Sequence, residues 1–279
     1  MELYTVNTGH IKFDGGAMFG IVPKVLWQRQ YDADENNLIP GTMRSLLVVE
    51  GDRKVMFDCG IGDKQEEKFF SYYALSGKDT IESSLAEIGL TVDDITDLVL
   101  THLHFDHCGG AIRYNEDQSK LMTTFPQATY WVSEEQWQHA LNPNRLEKAS
   151  FLDENILPME ASGQLQLFEE DFNLTPNIQI RLFNGHTRGQ AIALIRYKNR
   201  IVVNIADLVP LVGNISTSWV CGYDTQPEIS LLEKESFLKE SVDNDYIFYF
   251  YHEIDKECCT LKNTEKGIRA DRFLKLEEI

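Results

Sequence analysis

The stretch THLHFDHCGG, residues 101–110, places three histidines and an aspartate within six consecutive positions. The whole chain has only seven histidines, so this short segment holds nearly half of them. Burying imidazole and carboxylate groups is costly unless each is paired or bound to a metal. A fold that buries all four side chains is therefore hard to stabilise without a metal ion. The segment predicts a metal site formed by His102, His104, Asp106 and His107.

Three other apolar runs also end in a residue type that binds metals. The run IQIRLFNG leads to His186, RIVVNIA to Asp207, and YIFYFY to His252. Open α/β sheets tend to bind ligands at the carboxyl ends of their strands, so these residues are expected to join the cluster. Taken singly, these residues are weaker indications of a metal site, because Asp207 also fits a strand-end turn and His252 could simply follow an aromatic strand. The remaining histidines, His10 and His139, are interpreted as surface or hydrogen-bonded core residues.

The pattern of elements favours a layered α/β protein with mixed sheets. Short β-branched or aromatic runs predict strands at 44–51, 54–58, 97–102, 128–132, 178–183, 191–197, 200–207 and 246–252. Helical patterns cover 80–89, 133–141 and 227–242, with Ser133 as an N-cap and with Ile229, Leu232 and Leu238 on one face of the last helix. The stretch 142–163 is predicted to be an insertion of helical or loop character.

Composition excludes several classes of function. The net charge of −18 opposes binding to phosphate backbones or anionic lipids, so no nucleic-acid or membrane partner is expected. No apolar run is long enough for a membrane helix, and the first residues lack the features of a secretion signal. The five cysteines are odd in number and lack CxxC spacing, which fits a reducing compartment. A cytoplasmic location is therefore expected.

The order HxHxDH, then GH at 185–186, then a strand-end Asp and a strand-end His resembles the metallo-β-lactamase superfamily. The resemblance extends from the FDCG turn (57–60) to His252. It implies an αββα sandwich with mixed sheets, formed by a single domain over 1–279. It also implies a dinuclear centre: one metal held by His102, His104 and His186, a second held by Asp106, His107 and His252, and Asp207 bridging both.

Two features point to the dinuclear hydrolases within this superfamily. True β-lactamases usually have Cys at the position of Asp207, and flavodiiron oxidoreductases usually have an acid at that of His104. Glyoxalase II-type thioesterases carry a helical domain after the last ligand, whereas here only 27 residues follow His252. Asp58, in the FDCG turn, is expected to accept a hydrogen bond from a ligating imidazole, with a turn-stabilising role as an equal alternative.

The segment FDGGAMFGIVPKVLWQ (13–28) is similar to a loop of YtnP-type quorum-quenching N-acyl homoserine lactone lactonases and of related organophosphate hydrolases. The resemblance implies that Met18, Phe19 and Trp27 bind substrate and that the protein forms a homodimer. By its residues alone, the segment is too rich in Gly and Pro for a regular helix or strand. A loop this apolar needs cover from its own core, a partner subunit or an acyl chain. One departure is Pro210, where better-known lactonases of this kind have a tyrosine.

These expectations combine into a mechanism. Two divalent metals, zinc first with Mn, Fe or Co as alternatives, would share a water and supply hydroxide at neutral pH. The hydroxide would attack a lactone or related carboxylic ester, with Asp106 as general acid and Asp207 as the bridge. Thioester, organophosphate or phosphodiester hydrolysis is the alternative, followed by a metal-binding protein without activity. Cys108 is interpreted as a small buried residue.

Overall fold

The computed structural model describes residues 1–279. Its fifteen strands are β1 (Glu2–Asp14), β2 (Leu38–Glu50), β3 (Arg53–Phe57), β4 (Asp97–Val99), β5 (Ile112–Tyr114), β6 (Leu121–Thr123), β7 (Thr129–Ser133), β8 (Leu165–Phe168), β9 (Phe172–Thr175), β10 (Ile178–Phe183), β11 (Gln190–Tyr197), β12 (Arg200–Asn204), β13 (Ile247–Tyr249), β14 (Cys258–Thr264) and β15 (Gly267–Leu274). Its α-helices are α1 (Gly15–Phe19), α2 (Lys24–Trp27), α3 (Glu67–Ser71), α4 (Ile81–Glu87), α5 (Phe105–Cys108), α6 (Glu134–Leu141), α7 (Asp153–Ser162) and α8 (Pro227–Asp243). No helix is both long and apolar enough to cross a membrane.

The strands form mixed sheets, as predicted. A six-stranded sheet has the order β1-β2-β3-β4-β7-β8, a seven-stranded sheet runs from β15 down to β9, and β5 pairs with β6. The first sheet is parallel from β3 through β8, whereas the second is antiparallel except where β12 meets β13. The chain forms two compact units, Met1–His10 with Met43–Glu169 (unit 1) and Ile11–Thr42 with Glu170–Ile279 (unit 2). That 1–279 is a single domain stays a prediction.

Unit 1 has a core formed by its sheet and three helices. Leu98 of β4 and Tyr130 of β7 belong to the same buried cluster as Leu85 of α4, Trp137 of α6 and Met159 of α7. Side chains cap the first N–H groups of α4 and α6. The predicted Ser133 cap on α6 is confirmed, since its hydroxyl accepts from the Gln136 N–H at 3.1 Å. Apolar residues on these helices therefore cover the sheet from which the ligand-bearing turn leaves.

Unit 2 has its own core, and here the prediction for α8 is wrong. Ile229 and Leu232 are 37% and 59% exposed, so they do not share a buried face with Leu238. The buried residues of α8 are Ser230, Lys234, Phe237, Leu238 and Ser241. Their spacing of three and four residues marks a true helix face, but three of the five side chains on it are polar. Apolar spacing alone therefore selects the wrong side of this helix.

Two segments that the sequence left open adopt short regular structure. The stretch 142–163 is irregular up to 152 and then forms α7, which ends at Gly163 in a left-handed conformation with φ of 77°. The segment 13–28 contains α1 and α2, contrary to the prediction that it is too interrupted for a regular helix. Asp14 explains helix α1, because its carboxylate accepts a hydrogen bond from the Ala17 N–H at 2.8 Å and caps this single turn.

Candidate metal centre

The ligand-bearing turn of unit 1 is buried and compact. His102 and His107 are 0% exposed, and His104 and Asp106 are 8% and 9% exposed. The His102 ring lies with its centroid 4.5 Å from that of His104 and 4.0 Å from that of His107. Leu103 is fully buried. The two histidines thus converge, while the intervening Leu103 packs into the core of unit 1.

Two glycines make this turn possible. A Cβ on Gly109 would lie 2.0 Å from the carbonyl oxygen of Ile61, and one on Gly110 would lie 2.0 Å from that of Cys59. Real Cβ atoms do not approach oxygen so closely, so only glycine allows the backbone of the turn to touch the 59–61 loop. The Cys59 N–H also donates to the His107 carbonyl at 2.8 Å. The pair of glycines after the histidines thus fixes the turn against a second loop.

Asp58 contacts the imidazole of a candidate ligand, His107. Its carboxylate lies 2.9 Å from Nδ1 of His107 and accepts hydrogen bonds from both the N–H and the hydroxyl of Thr101, each at 2.8 Å. Thr101 is distant in sequence, so these bonds do not form a local turn motif. Asp58 itself has a left-handed φ of 57°, which is strained for a residue other than glycine. The turn-stabilising alternative is therefore not what the carboxylate does here.

The three candidate ligands of unit 2 follow strand ends with a common spacing. His186 comes three residues after the end of β10, Asp207 three residues after β12, and His252 three residues after β13. The strands run in the same direction, since β10 and β12 flank the antiparallel β11 and β12 is parallel to β13. All three side chains are buried. Strand direction and this spacing bring the ligands to one edge of the sheet.

Asp207 lies between the two histidines. Its Oδ2 is 3.4 Å from Nε2 of His186, and its Oδ1 is 3.4 Å from Nε2 of His252. Each carboxylate oxygen thus faces a different imidazole. A carboxylate that bridges two metals needs this arrangement, with one oxygen available to each side.

The outer contacts of all five candidate histidines fit metal binding. Nδ1 of His186 lies 3.0 Å from Asp224, Nδ1 of His252 donates to the Thr42 carbonyl at 2.9 Å, and Nδ1 of His102 lies 3.1 Å from the Thr101 hydroxyl. Metal-bound histidines typically hydrogen-bond through one ring nitrogen and bind through the other. For four of them the outer contact is at Nδ1, whereas His104 contacts Glu147 through Nε2 at 3.4 Å. Asp224 and Glu147 were not identified from the sequence, because neither belongs to a motif.

Helix α8 holds the turn that carries His186. The Glu233 carboxylate accepts hydrogen bonds from the N–H groups of Asn184 and Gly185 at 2.8 and 2.9 Å. Burial raises the pKa of Glu233, although these two bonds act in the opposite direction. A Cβ on Gly185 would lie 2.3 Å from the Cα atom of Ser230, so the GH pair also needs its glycine for close packing.

Each of the seven predicted ligands belongs to at least one group of three His or Asp side chains that could hold a metal ion. All the donors are nitrogen or oxygen. Cys108 is not among them: its thiol donates to the Leu103 carbonyl at 3.3 Å, and burial raises its pKa. The donor set therefore fits divalent metals of intermediate hardness.

The residues predicted to bind substrate lie in the core of unit 2. Met18, Phe19 and Trp27 are at most 2% exposed. Phe19 stacks on Trp27 with ring centroids 5.5 Å apart and packs against Tyr31 at 5.0 Å. These side chains stabilise the segment, and their contact with a substrate stays a prediction. The segment exposes Ile21 instead, at 97%.

Comparison with known proteins now adds to this geometry. Residues 40–118 match the metallo-β-lactamase superfamily. The structure of a probable metal-dependent hydrolase from Staphylococcus aureus is 30% identical, superposes with a TM-score of 0.89, and covers 98% of this chain and 96% of that one. The chain belongs to the metallo-β-lactamase superfamily. The predicted fold class and the predicted resemblance are thereby confirmed.

Other proteins similar to this chain include lactonases. The N-acyl homoserine lactonase of Bacillus cereus is 25% identical over 187 residues, a match that spans 66% of this chain and 66%, just under two thirds, of that protein. The dizinc quorum-quenching lactonase AidC, solved with the product N-hexanoyl-L-homoserine, is 21% identical with a TM-score of 0.77 over 98% of this chain and 95% of that one. These comparisons support a metal-dependent hydrolase.

Proposed function

We propose that the protein is a dinuclear metal-dependent hydrolase that opens a lactone of the N-acyl homoserine lactone type or a related carboxylic ester. The observation that carries the proposal is Asp207, whose two oxygens each face a histidine. A buried carboxylate in this position has no structural need for two imidazoles, whereas a pair of metals does need a shared ligand.

The ligands divide between two metals. We assign His102, His104 and His186 to one metal, and Asp106, His107 and His252 to the other, with Asp207 shared. The burial of all seven and the outer hydrogen bond on every histidine support the assignment. The dizinc relative supports zinc as the metal, and Mn, Fe and Co suit the same donors.

Two divalent ions in this site would lower the pKa of a bound water toward neutrality and polarise the carbonyl of the substrate. The protein's own groups then have separate tasks. Asp207 keeps the two ligand sets in register, and Asp58 holds the His107 ring in place at 2.9 Å. Asp106, with Oδ2 3.8 Å from Nε2 of His107, is the proposed general acid that delivers a proton to the leaving oxygen of the opened ring.

The lactone preference rests on the relatives, which are lactonases by name. Pro210 is the departure within this chain, because it cannot replace a tyrosine hydroxyl near the substrate. We therefore expect the acyl and ring contacts to differ from those of better-known lactonases, while the reaction at the metals is the same.

The homodimer and the cytoplasmic location also remain proposals. The segment 20–26 supports the first, because Ile21, Val25 and Leu26 are 97%, 62% and 40% exposed. Adjacent exposed apolar side chains of this kind are commonly covered by a partner subunit.

The test is hydrolysis by protein of measured metal content, with lactones, thioesters, phosphodiesters and organophosphates as substrates. We expect lactone opening that is lost when a chelator removes the metal and restored when zinc is added back. Protein with two bound metals that cleaves thioesters or organophosphates but no lactone contradicts the substrate proposal. Inactivity toward every substrate with a full metal complement contradicts the proposal of an enzyme.

A further inference from the structure

We infer that Glu147, in the irregular segment before α7, is a positioning residue that fixes the His104 ring for metal binding. The inference rests on the metal assignment proposed above and assigns a role to the insertion 142–163. It does not depend on the substrate.

The Glu147 carboxylate joins two histidines in the interior of unit 1. It is 3% exposed, with Oε1 3.4 Å from Nε2 of His104 and Oε2 2.5 Å from Nε2 of His139. The Asn144 side-chain amide donates to Oε2 at 2.7 Å, and its own Oδ1 accepts from the N–H of Glu147 at 2.9 Å. The carboxylate is therefore held from one side and presents its second oxygen to His104.

The same segment makes two further contacts, one with the residue after His104 and one with the His104 ring. The Ser150 carbonyl accepts a hydrogen bond from the N–H of Phe105 at 3.0 Å, which ties the segment to the backbone beside the ligand. The Phe151 ring packs against the His104 ring with centroids 5.1 Å apart. The carboxylate and the Phe151 ring thus restrict the rotation of the His104 ring, and the carbonyl holds the backbone beside it.

His104 needs this restraint more than the other four histidines. Its outer hydrogen bond is at Nε2, which leaves Nδ1 as the nitrogen that faces a metal. Nδ1 is bonded to the ring carbon that carries Cβ, so it reaches only a short way from the backbone. A small rotation of the ring therefore turns Nδ1 away from the direction that metal binding requires. A carboxylate on Nε2 fixes both the tautomer and the angle of the ring.

A purely stabilising role for the Glu147 carboxylate does not explain why its two oxygens contact two different histidines. Burying a carboxylate is costly unless it is paired, and His139 with Asn144 would suffice to pair Oε2. The second oxygen is directed at a candidate metal ligand. We therefore expect Glu147 to act on metal binding through His104 and to leave the other metal unaffected.

The experiment measures zinc affinity in metal-free protein by competition with a chromogenic chelator, alongside the absorption spectrum of the cobalt-loaded protein. The variants are Glu147→Ala and the isosteric Glu147→Gln, with Glu160→Gln on the exposed side of α7 as the matched control. Glu147→Ala should weaken one of two zinc equivalents by roughly 10- to 100-fold and change the cobalt spectrum, since loss of outer partners has effects of this size. Glu147→Gln should lie between Glu147→Ala and the wild type, and Glu160→Gln should match the wild type.

Melting of the metal-free variants separates folding from metal binding. If Glu147→Ala fails to fold, Glu147→Gln decides, because it keeps the shape of the side chain. Wild-type affinity for both equivalents in Glu147→Gln and in any folded Glu147→Ala overturns the inference, and so does equal weakening of both equivalents. A wild-type protein that binds two zinc ions but opens no lactone refutes the proposed function only, whereas one that binds no metal contradicts both.

Discussion

The two regions of the molecule that carry candidate ligands bring their buried side chains together by different means. In unit 1, four candidate ligands lie within the single turn 102–107, which is fixed by contacts to two other segments of the chain, 58–61 and 147–151. In unit 2, three ligands come from three separate strands and depend on the direction and spacing of those strands. The first arrangement is local in sequence and needs support from outside. The second is dispersed in sequence, and the sheet provides most of its support.

The largest expected effect tests whether the two regions act on one reaction. We predict that His102→Ala and Asp207→Ala each lower lactone hydrolysis by on the order of 10³-fold, because each removes a ligand needed for charge stabilisation at the metals. Metal content, measured alongside, should fall below two equivalents in both. His10→Ala is the matched control, since His10 is interpreted as a residue outside the site. Full activity and two metals in either variant would show that its region is not part of the centre.

The next effect compares the outer supports. Asp58→Asn and Asp224→Asn should each weaken metal binding by roughly 10- to 100-fold, because each removes the carboxylate partner of one ligating histidine. Asp58→Asn should also lower the free energy of unfolding by about 1–3 kcal/mol, since two bonds from Thr101 lose their charged acceptor inside the protein. Denaturant titration of metal-free protein measures this second effect. Equal stability of the two variants would show that the turn of unit 1 needs no more support than the strands of unit 2.

A further effect concerns the helix behind the unit 2 candidate ligands. Burial lowers the pKa of Lys234 from 10.5 to about 8, while its ammonium donates to the Ser216 and Trp219 carbonyls. Between these two values the unfolded chain holds more protons than the folded one, so this lysine makes the free energy of unfolding rise with pH. Lys234→Met should remove that rise, which is on the order of 3 kcal/mol across the window.

Unfolding of both proteins as a function of pH measures the Lys234 effect. The difference between wild type and variant isolates the lysine from the buried cysteines and Tyr31, whose raised pKa values act in the opposite direction. A difference that does not change with pH would contradict the prediction.

The candidate ligands can be proposed from the sequence because their chemistry is visible one residue at a time. Histidines and acids at the ends of apolar runs need only strand direction to converge, and the observed spacing of three residues after β10, β12 and β13 supports this. Glu147 and Asp224 could not be predicted, because their roles arise from contacts across 43 and 38 positions of sequence.

The features that the sequence predicts wrongly have a common physical cause. On α8, Lys234 and Ser230 lie inside because backbone groups of other segments accept or approach them, and apolar spacing cannot reveal such partners. In the 13–28 segment, one capping carboxylate at Asp14 is enough to form a short helix between glycines. Polar contacts over long distances thus decide the details that hydrophobic patterns leave open.

The placement of the thiols has a consequence for oxidative stress. All five cysteines are buried, and none belongs to the candidate ligand groups. A thiolate no longer binds metal once it is oxidised to a sulfenic or sulfinic acid. Imidazole and carboxylate ligands do not undergo this oxidation. An oxidant that removes zinc from cysteine-ligated proteins should therefore leave the proposed centre intact, and its occupancy should follow the supply of metal.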